Sequence, residues 1–509
     1  MAIFAAVDIG ANSVRLKISR LVRRKLEELH EDREVVRLGE SVFSSGMLSP
    51  DAIARTVKVL RRFHKATQQF GADAVRVVAT SALRDARNAP AFIDWVRMRT
   101  GWEVEVISGI EEARLIHLGI VTHLRSRSSK LLLMDLGGGS CELTVSDHGH
   151  IRETVSLPLG AVRLTREFLQ HDPPLHSEME ELHGYIAEEI GRVARRIVAA
   201  RPQAVIATSG TAAALAASSR VIAGRKTRNV ASTRAVMELA SRLARRSAKE
   251  RAQLPGIGPR RAEIIVAGAA VFAGLMRRCE LGGFRYSPLG LRDGLLLQMV
   301  ADHARSRRAV TPSAQLAADR WDAVLRACER YRVDLQQAQH IRELALQMFR
   351  ALRRLHALPP EYEEWLGAAA MLSECGAFVN RTGWHRHSHY IIVNTDILGY
   401  TPEERHVIGA LARYLGAALP SSGDKVVKLL PAAEREHLPK AVALLRLARA
   451  LNQGRRRAIR SVKARVHDGR VLLQVQARRG GADLEMWGVK KERAYFRAVF
   501  GRELEPEVS

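Results

Sequence analysis

Up to about residue 300 the chain alternates short apolar runs with longer stretches of helical periodicity. AVRVVAT (74–80), EVEVIS (103–108) and AVIATS (204–209) each read as a buried strand. NAPAFIDWVRMRTG (88–101) predicts a helix between the first two, with Asn88 as its cap and Gly101 as its stop. AVIATS runs into GTAAALAASS, a Gly-Thr turn that opens a helix. LLLMDLGGGSCELTV (131–145) predicts two strands joined by a tight glycine turn. Strands alternating with helices argue for an α/β architecture. Around DHARSRRAVTPSAQ (302–315) the composition turns polar and Arg-rich, which suggests a linker, and from about 316 to 452 the period is helical. VKARVHDGRVLLQVQARR (462–479) then alternates with period two about an Asp-Gly turn at 468–469. The longest uncharged apolar run, IIVAGAAVFAGLM (264–276), is too short to span a bilayer and predicts a buried helix.

One pattern occurs twice. VDIGANSVRLKI (7–18) aligns with MDLGGGSCELTV (134–145), so that Asp8 matches Asp135, Gly10 matches Gly137 and Ser13 matches Ser140. Two strand–turn–strand units suggest two related lobes whose facing hairpins form a cleft for a ligand. A turn centred on Gly138 and Gly139 sets Asp135 directly opposite Glu142 on one face, Cβ atoms about 5 Å apart. Two carboxylates there repel by roughly 3 kcal/mol at an effective dielectric near 20, which calls for a cation or a proton between them. The glycines also let backbone N–H groups approach an anion. The stretch therefore points to a cation and a phosphate side by side.

Charge sharpens this. The 509 residues carry 80 Lys and Arg against 54 Asp and Glu, a net +26, and such a field attracts polyanions: nucleic acid, anionic membrane or polyphosphate. Compositional bias is the plain alternative, because only GRRRAIRSVKAR (454–465) concentrates the basic residues. The N-terminus MAIFAAVD has no charged leader and is not read as a signal peptide. Cys141, Cys279, Cys328 and Cys375 lack disulfide or CxxC spacing, and a reducing cytoplasm is the simplest setting.

In ISGIEEARLIHLGI (107–120), Ser108 and Glu111 fit a capping box, which leaves Glu112 without a structural task. A carboxylate there either orients and deprotonates a water or is a solvated glutamate favoured by the helix dipole. In ATSALRDARN (79–88), Arg84 and Arg87 suit either a bidentate grip on phosphate or a surface ion pair. Ser209-Gly210-Thr211 could offer amides at a helix start to an anion.

Taken in order, DIGANSVRL, ATSALRDARN, ISGIEEARL, DLGGGSCEL, ATSGT and SPLGLRDGLL resemble the exopolyphosphatase / guanosine pentaphosphate phosphohydrolase family, a branch of the actin-like ATPase superfamily, over nearly the whole chain. The resemblance implies an α/β fold: a two-lobed actin-like (ribonuclease H-like) core, then an all-α HD-like domain and a small C-terminal α+β domain. The expected bounds are 1–125 for lobe I, 126–303 for lobe II, 304–455 for the helical domain and 456–509 for the last. It implies Glu112 as base, Arg84 on phosphate, and Asp135 and Glu142 as ligands of Mg²⁺, with a monovalent cation such as K⁺ as a possible second ion. Phosphate binding is expected from Asp8, Gly10, Asn12, Ser13, Thr80, Ser81, Gly137, Gly138, Gly139, Ser140, Ser209, Gly210 and Thr211. The HD-type signature expects His-Asp or His-Glu where this chain has Ser373-Glu374, and a serine cannot replace an imidazole ligand. His340 belongs to this module, and the trio His385, His387 and His389 lacks a paired carboxylate and reads as lining a basic anion channel or packing structurally, so the helical module reads as noncatalytic, binding polyanion or forming a dimer.

The expected activity is Mg²⁺-assisted release of orthophosphate from the end of inorganic polyphosphate by a cytoplasmic homodimer that does not engage a membrane. Hydrolysis of guanosine pentaphosphate to the tetraphosphate uses the same motifs. A noncatalytic sensor of polyanions or guanosine polyphosphate is the rival from another class, and a kinase or ATPase reading is disfavoured by the EEA helix.

Overall fold

The computed structural model describes residues 2–23, 25–124, 130–222, 229–307, 314–478 and 482–508. These fall into two compact units, Met1–Val310 and Thr311–Ser509.

The first unit holds two mixed sheets. One is built from β1 (Ile3–Ile9), β2 (Ser13–Val22), β3 (Lys25–Val35), β4 (Ala74–Ala79) and β5 (Val104–Val106), in the order β3-β2-β1-β4-β5. β1, β2 and β3 form an antiparallel meander, and β4 and β5 run parallel to β1. The second sheet repeats this plan. β6 (Leu131–Leu136), β7 (Cys141–Asp147) and β8 (His150–Leu157) form the meander, β9 (Ala204–Thr208) pairs parallel with β6, and β10 (Val230–Ser232) and β11 (Gly283–Tyr286) complete the order β10-β11-β9-β6-β7-β8. A three-strand meander extended by parallel strands is the actin-like arrangement, present here twice. Helices cover the sheet faces, and each lobe has its own apolar core. The run at 264–276 forms the buried helix Ile265–Arg278.

The chain passes between the lobes at two places. The helix Gly109–Val121 precedes β6, and after β11 the helix Leu291–Arg307 returns. Although it lies in the stretch assigned by sequence to lobe II, the return helix packs on the helix Gly109–Val121 and on β1, burying Leu295 and Leu296 with Phe4, Ala6 and Leu115. A Cβ on Gly119 would stand 2.5 Å from Gly290 O, and one on Gly294 would stand 1.9 Å from Leu115 O, so glycine is what lets these two helices cross so closely.

Three local expectations change. The helix Ala89–Thr100 does follow Asn88, but that side chain makes no cap; its Oδ1 accepts from Leu48 N at 2.8 Å, a longer-range use of the same acceptor. Ser108 Oγ does accept from Glu111 N, but the Glu111 carboxylate turns to Arg114 instead of closing the box, since a guanidinium is the stronger partner. The stretch read as a linker begins as helix, which continues to Arg307; positions 308–313 lie outside the described residues, as does the 125/126 boundary.

In the second unit, helices that include Leu335–Ala351, Glu361–Leu372, Pro402–Arg413 and Ala432–Ala450 share one core. β12 (Ile459–His467) and β13 (Arg470–Ala477) form the expected hairpin, with Gly469 at φ 75° in its turn. Sequence patterning did not reveal β14 (Glu503–Val508), which pairs parallel with β13 after the helix Asp483–Phe500. Val471, Phe496 and Leu504 belong to the same core as Leu344 and Leu445. No helix among the described residues is long and apolar enough to cross a membrane.

Candidate active site

The two repeated hairpins put their turns at one cleft. In each, the turn glycine's amide donates across it: Gly10 N to Ser13 O at 3.1 Å, and Gly137 N to Ser140 O at 2.9 Å. The turn carbonyls are taken from behind. Gly39 N bonds Ala11 O, while Val36 N and Arg37 N both bond Asn12 O. In lobe II, Ala161 N bonds Gly137 O, and Val162 N and Arg163 N both bond Gly138 O, from the start of the helix Ala161–Phe168. With the carbonyls held on the far side, the peptide N–H groups of each turn are left for the cleft, an arrangement suited to an anion.

The register of β6 and β7 sets Asp135 opposite Glu142 and Leu136 opposite Cys141, as the glycine count predicts. Glu112, in the first turn of the helix Gly109–Val121, joins them. Ligand oxygens of Glu112, Asp135 and Glu142 all lie within 4.8 Å of one another. Glu112 and Glu142 are buried, and Asp135 is partly so. Burial, then the Glu142 charge, pushes the Glu112 carboxyl well up, against the pull of Arg84. Burial, then Glu142, pushes Asp135 up to about 7. Glu142 and Asp8 also rise, chiefly through burial. Ser156 Oγ donates to Glu142 Oε1 at 2.7 Å, but Glu142 Oε2 is buried without a partner. Three crowded acids, one with an orphaned oxygen, are what a hard divalent cation with oxygen ligands would relieve.

Arg84, on the short helix Ser81–Asp85, donates through Nη1 to Glu112 Oε2 at 3.0 Å and to Ile107 O at 2.8 Å, and Nη2 lies 3.4 Å from Ser140 Oγ. Its surface-pair reading therefore fails: the partner is the buried acid of the cleft. Ser209 begins the helix Ser209–Ile222 at φ 82°, with its Oγ buried and unpartnered. A Cβ on Gly210 would collide with the Arg261 guanidinium, whose two Nη atoms stand closest to that turn. Of the residues expected to act in catalysis or to bind phosphate or metal, all line one cleft of about 420 Å³ except Arg84, Gly139 and Glu142, which bond to or flank its wall, whereas Arg87, the other arginine of the Arg84 segment, lies away from it against Gly46.

Sequence reasoning missed the cleft's arginines. Arg15 stands beside Asp8 on the neighbouring strand, and Arg33 stands directly opposite Arg15 on β3. Arg261 and Arg292 line the same cleft, with Tyr286. Burial, then Arg15 and Arg261, pulls Arg33 down to about 9; burial, then Arg15, pulls Arg261 down to about 10. Strand alternation from Asp8 and Ser13 could have found Arg15. Nothing local marks Arg33 or Arg261.

The helical module holds no comparable cluster: among the described residues the three acids above are the only such group. Ser373 Oγ donates to Ala370 O, and Glu374 accepts two bonds from Arg455 Nη1 at 2.9 and 2.8 Å. His385 packs on Gly416 and His389 on Gly409. Burial pulls His340 down and His389 down to about 4, so both are neutral at pH 7.

Residues 17–303 match the model of the Ppx/GppA phosphatase family, and residues 320–481 match domain III of the same family. The chain belongs to the Ppx/GppA phosphatase family. It is accordingly a hydrolase of phosphoanhydride bonds. Solved structures agree. A Ppx/GppA family member from Aquifex aeolicus is 28% identical, with 59% of this chain and 98% of that one covered at a TM-score of 0.51. An exopolyphosphatase from Cytophaga hutchinsonii is 25% identical over 58% of this chain and 97% of its own, at 0.55. An exopolyphosphatase-like protein reaches 28% identity over the same shares, at 0.54.

Proposed function

We propose that this Ppx/GppA protein is an exopolyphosphatase that removes the terminal phosphate of linear inorganic polyphosphate. One observation carries the choice of a polymeric anion: Arg15, Arg33 and Arg261 converge on the cleft, and among the described residues none has a carboxylate at ion-pair distance. Arg15 and Arg33 are also directly opposed like charges, an arrangement that costs stability unless an anion offsets it. A chain of phosphates presents one negative charge per unit to such a wall.

In this reading the terminal phosphoryl group lies between the two turns, its oxygens on the amides of the Gly137–Ser140 loop and of the first hairpin. Glu112 accepts the proton of a water aligned for in-line attack. Arg84 fixes the Glu112 carboxylate and places positive charge beside the transferring group. Asp135 and Glu142 would hold Mg²⁺, which when bound supplies charge neutralisation on phosphoryl oxygens. The arginines retain the rest of the polymer. The four cysteines are free and buried, which suits the reducing cytoplasm.

Guanosine pentaphosphate is the second reading, because Tyr286 beside the arginines offers a ring to a base. The test is orthophosphate release from long polyphosphate and from guanosine pentaphosphate, side by side, with Mg²⁺ and with chelator. A larger kcat/KM on the polymer is expected. A larger value on the nucleotide would reverse the assignment, and release from neither would leave a binding protein.

A further inference from the structure

The two anion turns are not held alike. In lobe I the last turn carbonyl, Asn12 O, is fixed by two backbone amides, Val36 N and Arg37 N. Its counterpart in lobe II, Gly139 O, accepts no backbone bond among the described residues; it accepts Arg163 Nε at 2.8 Å. The other end of that guanidinium leaves the lobe. Arg163 Nη2 bonds Asp85 of lobe I, and Arg163 Cζ lies over the ring of Phe43, also of lobe I, 4.2 Å from its centroid. Asp85 closes the same short helix that carries Arg84. One planar side chain thus spans the second anion turn and the helix that delivers Arg84. Around it the lobes meet closely: a Cβ on Gly139 would stand 2.3 Å from Ser81 Oγ and 2.5 Å from Phe43 Cζ.

We propose that Arg163 is a positioning residue that couples closure of the two lobes to alignment of the Gly137–Ser140 turn with Arg84. The inference rests on the phosphatase reading of the cleft. With the lobes together, Asp85 and Phe43 fix the guanidinium, and Nε fixes Gly139 O, so the last peptide of the turn, which carries the Ser140 amide, is set toward the cleft by a contact that depends on closure. With the lobes apart, Arg163 loses both lobe I partners and the last carbonyl of the turn is free to rotate. Substrate is then captured mainly by the arginine wall and the first turn, while chemistry waits for the bridge. Lysine is not equivalent, because its compact ammonium lacks the planar fork that reaches Gly139 O from one edge and Asp85 from another.

Arg166, on the same helix, is the control. It also reaches lobe I, bonding Glu40 at 2.8 Å, but it touches neither turn nor Arg84. The experiment compares R163K, R163A, D85N and R166A in the full chain by steady-state kinetics on polyphosphate, and by hydrogen exchange at residues 80–87 and 137–141. Expected are a kcat roughly tenfold or more lower for R163K and R163A with KM within about threefold, a smaller loss for D85N, and R166A within about twofold of wild type. Exchange should quicken in both segments for the Arg163 variants and in neither for R166A. Wild-type kcat in R163K, equal losses in R163A and R166A, or a raised KM at unchanged kcat would each overturn the proposal. Failure of the wild type to turn over would instead count against the phosphatase reading, and the exchange data would still decide whether Arg163 orders both segments.

Discussion

Asp135 gives the acid cluster a thermodynamic test that needs no substrate. Its carboxyl is pushed from 3.8 to about 7, by burial first, then by Glu142, with Arg15 opposing and Asp8 adding to the rise. A carboxyl that holds its proton more tightly in the folded state than in the unfolded chain makes stability fall as pH rises between its two pKa values. In metal-free protein, then, the contribution is most favourable below about pH 4 and the loss is complete by about pH 7. A rise of about three pH units at 1.36 kcal/mol each gives about 4 kcal/mol. Asp135 is only partly buried and faces water in the cleft, so screening should bring the measured effect to about 2 kcal/mol. The perturbation is D135N, which removes the titration while keeping the side chain's shape. The assay is native-state hydrogen exchange of the β6 and β7 amides in chelator at pH 5 and pH 8, read as local opening free energies. Relative to D135N, wild type should lose about 1–2 kcal/mol over that interval, and saturating Mg²⁺ should abolish the loss. Parallel pH dependence in the two proteins, with no response to Mg²⁺, would refute the crowded-acid account.

Glu112→Gln should lower turnover by roughly 10²–10⁴ while polyphosphate affinity, measured by titration in the presence of Mg²⁺, stays within several-fold. Arg33→Gln removes one of two opposed guanidinium groups, so the melting temperature should rise by a few degrees while kcat/KM on long polyphosphate falls about tenfold. Glu374→Gln breaks the bonds to Arg455 in the helical module; a loss of about 1 kcal/mol in stability with unchanged phosphate release and no change in bound metal would confirm that Ser373-Glu374 is structural.

What could be read in the sequence was local. The opposition of Asp135 and Glu142 followed from counting glycines, because a tight turn fixes hairpin register. The twin hairpins and the helix start at Ser108 were legible for the same reason. The place of Glu112 came from a residue with no capping task left to it, and Arg84 came from family likeness, since periodicity alone left it between phosphate and surface. The elements that escaped depend on partners far along the chain. Arg33 enters the cleft only because β3 pairs with β2 in one register across a strand crowded with charge. Arg261 lies in irregular backbone between helices, where no period exists to place it. Asn88 and Glu111 each had a near acceptor or donor and took a distant or stronger one instead.

The crossing of the helices Gly109–Val121 and Leu291–Arg307, locked at Gly119 and Gly294, has a mechanical consequence. The helix that leads out of lobe I and the helix that returns to it meet at this one seam. Sliding or twisting of the halves would shear two backbones packed glycine to carbonyl, whereas a rocking motion about the seam bends them little. A side chain at either glycine would therefore be expected to disturb how the two lobes are held together, and not only the helix that carries it.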